Sequence, residues 1–372
     1  MTTKLRRWLA GLALVGLVAH GTRSGAQDFL TCGWDEVRQM RLDGTNLVTL
    51  WSWNATNSDL PAAFRARFTT TSEARPLPGG AVLVTSSGGD SLDGGVALIR
   101  PGTSHVSFYA RGPNAHSAEL LPGHRIAAAF SYHPDGNRVA LFDLAQPDVE
   151  LFSTPLWAAH GLVWDEARQR LWALADSFLQ AYALTNWNTT PQLVATDWIG
   201  LPSGGGHDLA AVPDSPEMIV TTDTHVWLFH RDTRAFRKHP LLGDTPAVKS
   251  VSVAPDSGRT LFVQADGPWW SEWLRFLNPP LAARFPGDHF YKARWLAVSR
   301  PALAIRRTPS AGLTISWPAR WAEYQIEAAP GLTATNWSVP PEPVWNDGTN
   351  CILFLEPPFS QERWFRLRST QP

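Results

Sequence analysis

Residues 113–125 read PNAHSAELLPGHR, an apolar strand that opens on a histidine and closes on a Leu-Pro-Gly turn. The same construction returns along the chain. It stands as SEARPLPGG at 72–80, AAHGLVWDEARQR at 158–170 and GGHDLAAVPDSPE at 205–217. VKSVSVAPDSGR at 248–259 and YKARWLAVS at 291–299 complete the series. Aligned on the polar residue of each strand start, it runs Arg75, His116, His160, His207, Lys249, Lys292, with steps of 41, 44, 47, 42 and 43 residues. A period near forty with several strands per unit is the sequence mark of a β-propeller blade.

Each unit repeats one plan. A second strand follows the turn, as in AVLVTS (81–86), IAAAFS (126–131) and RLWALA (170–175), and third and outer strands follow it. Only the last unit is short. Nothing after 292–298 completes its sheet, whereas FLTCGW (29–34), VRQMRLD (37–43) and LVTLWSW (47–53) are left over at the other end. The expectation is an all-β chain: a six-bladed β-propeller over 28–300, closed by three N-terminal strands that protect its edges. Beyond Pro301 the spacing changes. LTISWP (313–318), YQIEAA (324–329), ILFLE (352–356) and RWFRLR (363–368) suit a small β-sandwich over 303–370.

NAHSAELLP, AHGLVWDE, GGHDL, VKSVSV and YKARW resemble an uncharacterised family of secreted bacterial six-bladed propellers. The terminal RWFRLR strand is similar to the fibronectin-like C-terminal modules of secreted bacterial proteins. These resemblances imply a fold and bring no activity.

Residues 1–26 have the form of a signal peptide: Lys4, Arg6 and Arg7, then apolar WLAGLALVGLVA (8–19), then Ser24-Gly25-Ala26. The expected location is secreted or periplasmic, without a membrane span. Without that leader, which carries four cations and no acid, 28 basic and 33 acidic residues remain, a net charge of −5. That excludes a general nucleic-acid binder, which needs a cationic footprint. Two cysteines, Cys32 and Cys351, do not make a disulfide framework, and they fall in different expected domains. A monomer is expected.

In a propeller, the inner-strand start and the loop between the second and third strands share one face. Equivalent side chains therefore ring the channel mouth. On the alignment above, Arg75, Lys249 and Lys292 occupy adjacent blades and face His116, His160 and His207. Cations about 8 Å apart repel by about 2 kcal/mol a pair at an effective dielectric near 20. Glu119, Asp208 or a bound anion would relieve this. Arg294 follows on the last inner strand, and loops bring Trp34, Tyr132, Trp269 and Trp270 to the same face. Trp51, Trp53, Trp157 and Trp172 are expected in blade packing instead.

Aromatic rings beside hydrogen-bonding groups suit sugars, so the expected partner is an acidic saccharide. The first reading is a polysaccharide lyase acting by β-elimination. The cations neutralise a uronate carboxylate, and His116, His160, His207 or Tyr132 removes the neighbouring C–H proton. A second reading makes the three histidines ligands of a divalent metal, zinc or manganese. A third is a non-catalytic saccharide-binding or envelope interaction protein. Histidines at blade starts can also be structural, stitching neighbouring blades together. Glycoside hydrolysis is disfavoured, because no inner-strand carboxylate pair stands out beyond Glu119 and Asp208. SGGGH (203–207) lacks the Lys-Ser/Thr of a phosphate loop and reads as a turn.

Overall fold

Short apolar runs broken by Gly, Pro, Asp and Asn become antiparallel hairpins, because five or six residues cross a sheet and each breaker turns the chain back. The protein is all-β in this manner. The computed structural model describes residues 26–296 without Asp256 and, further on, 303–308, 312–321, 324–331, 334–357 and 363–369. The expected leader, apart from Ala26, lies outside the described residues, as does the junction 297–302. Two compact units divide the chain: Ser24–Ala297 forms one, and residues from Val298 onward belong to the other. Among the described residues no helix is long and apolar enough to cross a membrane.

The first unit contains six four-stranded antiparallel sheets, an arrangement consistent with a propeller. Five run outward in chain order from Thr71–Pro76, Ala115–Leu121, Gly161–Asp165, Asp208–Ala211 and Val248–Val253. The sixth is composite. Its first strand, Lys292–Trp295, pairs with Gln27–Gly33, and the sheet continues through Glu36–Asp43 to Asn46–Asn54. Cys32 lies opposite Lys292, and Phe29 opposite Trp295. The six first strands are neighbours in this order, and Lys292–Trp295 also touches Thr71–Pro76.

The second strands read as nearly unbroken apolar runs because both their faces are covered. In Val82–Ser86, Val82 and Val84 pack with Leu30, Val37 and Trp53 of the sixth sheet. Leu83 turns the other way, towards Phe108, Ile126 and Phe142 of the first two sheets. Each such buried side chain contributes about 1.5–3 kcal/mol. Cys32 is a buried free thiol in the same layer, pushed up to about 12 by burial and then by Glu73. Trp53 and Trp172 are buried as expected, and Trp51 packs against the core edge. Trp157 departs from expectation: it is 59% exposed, in the loop that leads into Gly161–Asp165.

In the second unit, Ala304–Arg307, Leu313–Pro318, Asn350–Leu355 and Val344–Asn346 form a four-stranded sheet in that spatial order. Tyr324–Ala329 pairs with Trp364–Ser369. Ile315, Trp317, Ile326 and Leu353 share one buried cluster.

Candidate functional site

Hydrogen bonds between neighbouring first strands define which residues are equivalent. Ser117 Oγ accepts from the Leu162 N–H at 3.2 Å, Asp208 Oδ2 from Val251 at 3.3 Å, and Ser250 Oγ from Ala293 at 3.0 Å. Each bond joins the second residue of one strand start to the third residue of the next. His116, His160, His207 and Lys249 therefore share their slot with Tyr291, not with Lys292. In the first sheet, the register shift between Thr71 and Glu73 puts Ser72 in that slot, just as similar shifts set out His116 and Lys249. The ring at the mouth is Ser72, His116, His160, His207, Lys249 and Tyr291. All six line one cavity of about 360 Å³.

Arg75 and Lys292 lie deeper, and this corrects the expected cation ring. One step below the mouth stand Glu73, Ser117, Gly161, Asp208, Ser250 and Lys292. Gly161 fits there because a Cβ would sit 2.6 Å from the Leu209 Cβ. Lys292 Nζ is 3.1 Å from Asp208 Oδ1 and 3.5 Å from Glu73 Oε2. Arg294 reaches the same two carboxylates, with Nε 3.0 Å from Glu73 Oε1 and Nη1 2.8 Å from Asp208 Oδ2. Arg75 Nη1 donates to Glu119 Oε2 at 2.7 Å. Burial pushes the Glu73 and Asp208 carboxyls up, but Arg294 and then Lys292 outweigh it and hold both below the usual range. Burial raises the Glu119 carboxyl, and Arg75 offsets only part of that. The repulsion expected among cations is thus met inside the protein. Arg75, Lys292, Arg294, Glu119 and Asp208 form a buried ionic layer and do not line the mouth. Arg75, Glu119 and Arg294 instead border a second cavity of about 400 Å³.

At the mouth the three imidazoles lie close together, with His116 and His160 ring centres 4.3 Å apart and those of His160 and His207 5.7 Å apart. Burial lowers all three, and neighbouring positive charge adds to it: His116 falls well below its ordinary value, and His160 and His207 fall to about 3. They are neutral at pH 7. Lys249 is 8% exposed, and burial lowers its ammonium against the pull of Asp223. Its Nζ lies 2.9 Å from His207 Nε2, and the same nitrogen is 2.7 Å from Asp223 Oδ1. An ammonium needs a lone pair there and a carboxylate needs a proton, so one ring nitrogen cannot serve both. The shorter bond assigns the proton to Asp223, which leaves Lys249 without an acceptor among the described residues.

This geometry removes the metal reading. His116 spends one nitrogen on Asn114 and the other on Tyr291, and His160 turns Nδ1 to the Ala158 carbonyl. Their lone pairs do not converge. Among the described residues no group of three His, Cys, Asp or Glu is arranged to hold a metal ion.

Aromatic side chains form the rim. Trp34, 47% exposed, stacks on Trp269 at 5.4 Å and on His289 at 4.6 Å, and both tryptophans line the cavity. Trp270 does not line it; it packs edge-on against His289. Tyr132 stands beside His160 and Trp157 with its hydroxyl donating to Asp176 Oδ1 at 3.0 Å, and burial followed by that bond pushes it up to about 12. Sequence alignment missed Ser72, Asn114 and Tyr291. The Ser-x-Ser alternation of VKSVSV, matched against YKARW by its inter-strand bonds, is the signal that would have placed Tyr291.

Residues 38–303 match a family of unknown function, DUF6528. The chain belongs to the DUF6528 family. The DUF6528 match includes every residue of the mouth ring, whereas Trp34 precedes it. No curated protein matches the chain. Among solved structures it is similar to a chain of a nidogen–laminin complex, at 10% identity and TM-score 0.48, over 73% of this chain and 98% of that one. It is also similar to a candidate 6-phosphogluconolactonase from Bacteroides uniformis, at 14% identity and TM-score 0.48, over 89% of this chain and 99% of that one.

Proposed function

We propose that the six sheets are the blades of a propeller closed by its N-terminal strands, and that the mouth binds an acidic saccharide without cleaving it. The pairing of Cys32 with Lys292 and the contact between Lys292–Trp295 and Thr71–Pro76 support closure. Lys249 carries the binding reading. It is a buried ammonium lining a cavity, with no carboxylate at ion-pair distance among the described residues. An uncompensated buried charge is costly, and an anionic ligand supplies the missing partner. The stacked Trp34 and Trp269 offer an apolar face to a sugar ring.

Elimination is less well supported. It needs a competent proton acceptor, and imidazoles held at about 3 are weak ones. Tyr132 donates to Asp176, and Arg75 and Lys292 are already neutralised by carboxylates. The test is incubation with a panel of uronic-acid polysaccharides, followed by calorimetry and ultraviolet absorbance. Binding without an absorbing unsaturated product is expected. An absorbing product restores the lyase, and absence of binding ends the saccharide reading.

We further read residues 1–26 as an export leader, so that the protein works outside the cytoplasm, as a monomer whose C-terminal unit is a small sandwich module. Sequencing the N-terminus of the mature protein checks the leader, with a start near Gln27 expected.

A further inference from the structure

We infer that the mouth reads hydroxyl hydrogens: His160 Nε2 and Tyr291 Oη face the cavity as acceptors beside Lys249, so the ligand carries hydroxyl donors next to its anionic group. This rests on the saccharide reading and specifies what the sugar must present.

The pattern follows from the partners behind each ring. Asn114 Nδ2 donates to the Tyr132 carbonyl at 3.0 Å, which turns Asn114 Oδ1 towards His116 Nε2 at 2.9 Å. An amide oxygen only accepts, so His116 carries its proton on Nε2. His116 Nδ1 is then a lone pair, and the Tyr291 hydroxyl, 3.2 Å away, donates to it. With its hydrogen used, the phenol oxygen has only lone pairs for the cavity. In His160 the Ala158 carbonyl, 2.9 Å from Nδ1, demands the proton on that nitrogen. Nε2 is left as a lone pair that no described residue bonds. His160 is 7% exposed and lines the cavity, so this unpartnered lone pair belongs to a side chain of the cavity wall. Burial keeps both imidazoles neutral, which preserves the acceptor pattern.

An aliphatic carboxylate could satisfy Lys249, yet it would leave both acceptors desolvated and unbonded. A sugar acid satisfies all three. The test titrates wild-type protein and Tyr291→Phe with D-glucuronate and with hexanoate, which has the same charge and no hydroxyls. Glucuronate should bind about tenfold tighter than hexanoate or better, and Tyr291→Phe should lose about tenfold for glucuronate alone. Equal affinity for the two anions, or an equal loss for both in the variant, overturns the acceptor pattern while leaving an anion site. If neither anion binds wild-type protein, the saccharide reading falls and takes this inference with it. Imidazole nitrogen-15 shifts of wild-type protein give an independent readout. His116 protonated on Nε2 and His160 on Nδ1 are expected, and either opposite tautomer overturns the pattern even if the variant does not fold.

Discussion

In the layer beneath the mouth, Lys292 and Arg294 meet Glu73 and Asp208 within 3.5 Å. In the mouth itself, one residue higher on the neighbouring strand, Lys249 meets only an imidazole. Both lysines enter the same channel and both are buried, at 1% and 8% exposure. What separates them is the company at each depth. The lower layer pairs every charge it holds and joins the first, fourth and sixth sheets across the channel. The upper layer leaves one charge and three acceptors unmatched, for His207 Nδ1 is also buried without a partner. A one-residue shift in register therefore moves a cation from the scaffold to the ligand.

The contrast can be broken most sharply from below. Replacing Arg294 by Met leaves two buried carboxylates to share the single Lys292 ammonium and should cost about 3–5 kcal/mol of stability, measured by denaturant unfolding. A loss under about 1 kcal/mol would mean that the layer is hydrated and does not hold the sheets. Lys249→Met should do the reverse. Acidic saccharide affinity should fall about 10- to 100-fold, the value of a charge-assisted bond. Stability should hold within about 1 kcal/mol or rise, because a buried unpaired charge is removed while its apolar stem is roughly kept. A destabilised Lys249→Met with unchanged affinity would erase the distinction between the layers.

Acid should sharpen it. The imidazoles of His160 and His207 sit at about 3 in the folded protein, against an ordinary value of 6.5. Between those values the unfolded chain binds more protons, so stability is full above 6.5 and is lost as pH falls towards 3. Each imidazole contributes about 1.4 kcal/mol per pH unit in the steep part of that window. His160→Gln should flatten the stability-versus-pH slope between pH 5 and 6 by about that amount. An unchanged slope would show that the ring is charged or hydrated. The smallest expected effect is at the rim: Trp34→Ala should weaken saccharide binding by about 0.5–1.5 kcal/mol with stability nearly unaltered. Calorimetry against the same sugar acid reads it.

The strands and their forty-residue recurrence were legible because turn chemistry and apolar runs are local properties. Even the composite sixth sheet followed from counting strands, since LVTLWSW and its two neighbours had no other sheet to complete. Slot assignment was another matter. Aligning YKARW on its lysine matched like residue with like residue, whereas the inter-strand bonds match Lys249 with Tyr291. Arg75 was displaced further, by three residues: the slot in the first sheet belongs to Ser72, which carries no charge to align on. Histidines 116, 160 and 207 line one cavity, because each immediately precedes the first inward residue of its strand, Ser117, Gly161 or Asp208. Their tautomers, and the unpaired charge of Lys249, depend on Asn114, Ala158 and Asp223, residues made relevant only by the folded geometry.

The composite sixth sheet has a consequence for how the molecule is made. Gln27–Gly33 is synthesised before the other strands of its unit, yet its partner Lys292–Trp295 leaves the ribosome only after five other sheets. Throughout that interval the earliest strand presents an open edge, the kind of surface that chaperones hold and proteases find. A chain truncated before Lys292 would keep the five sheets built in chain order and still expose that edge. Only the last four-residue strand, Lys292–Trp295, covers that edge, so the first unit depends for its completion on residues from both of its ends.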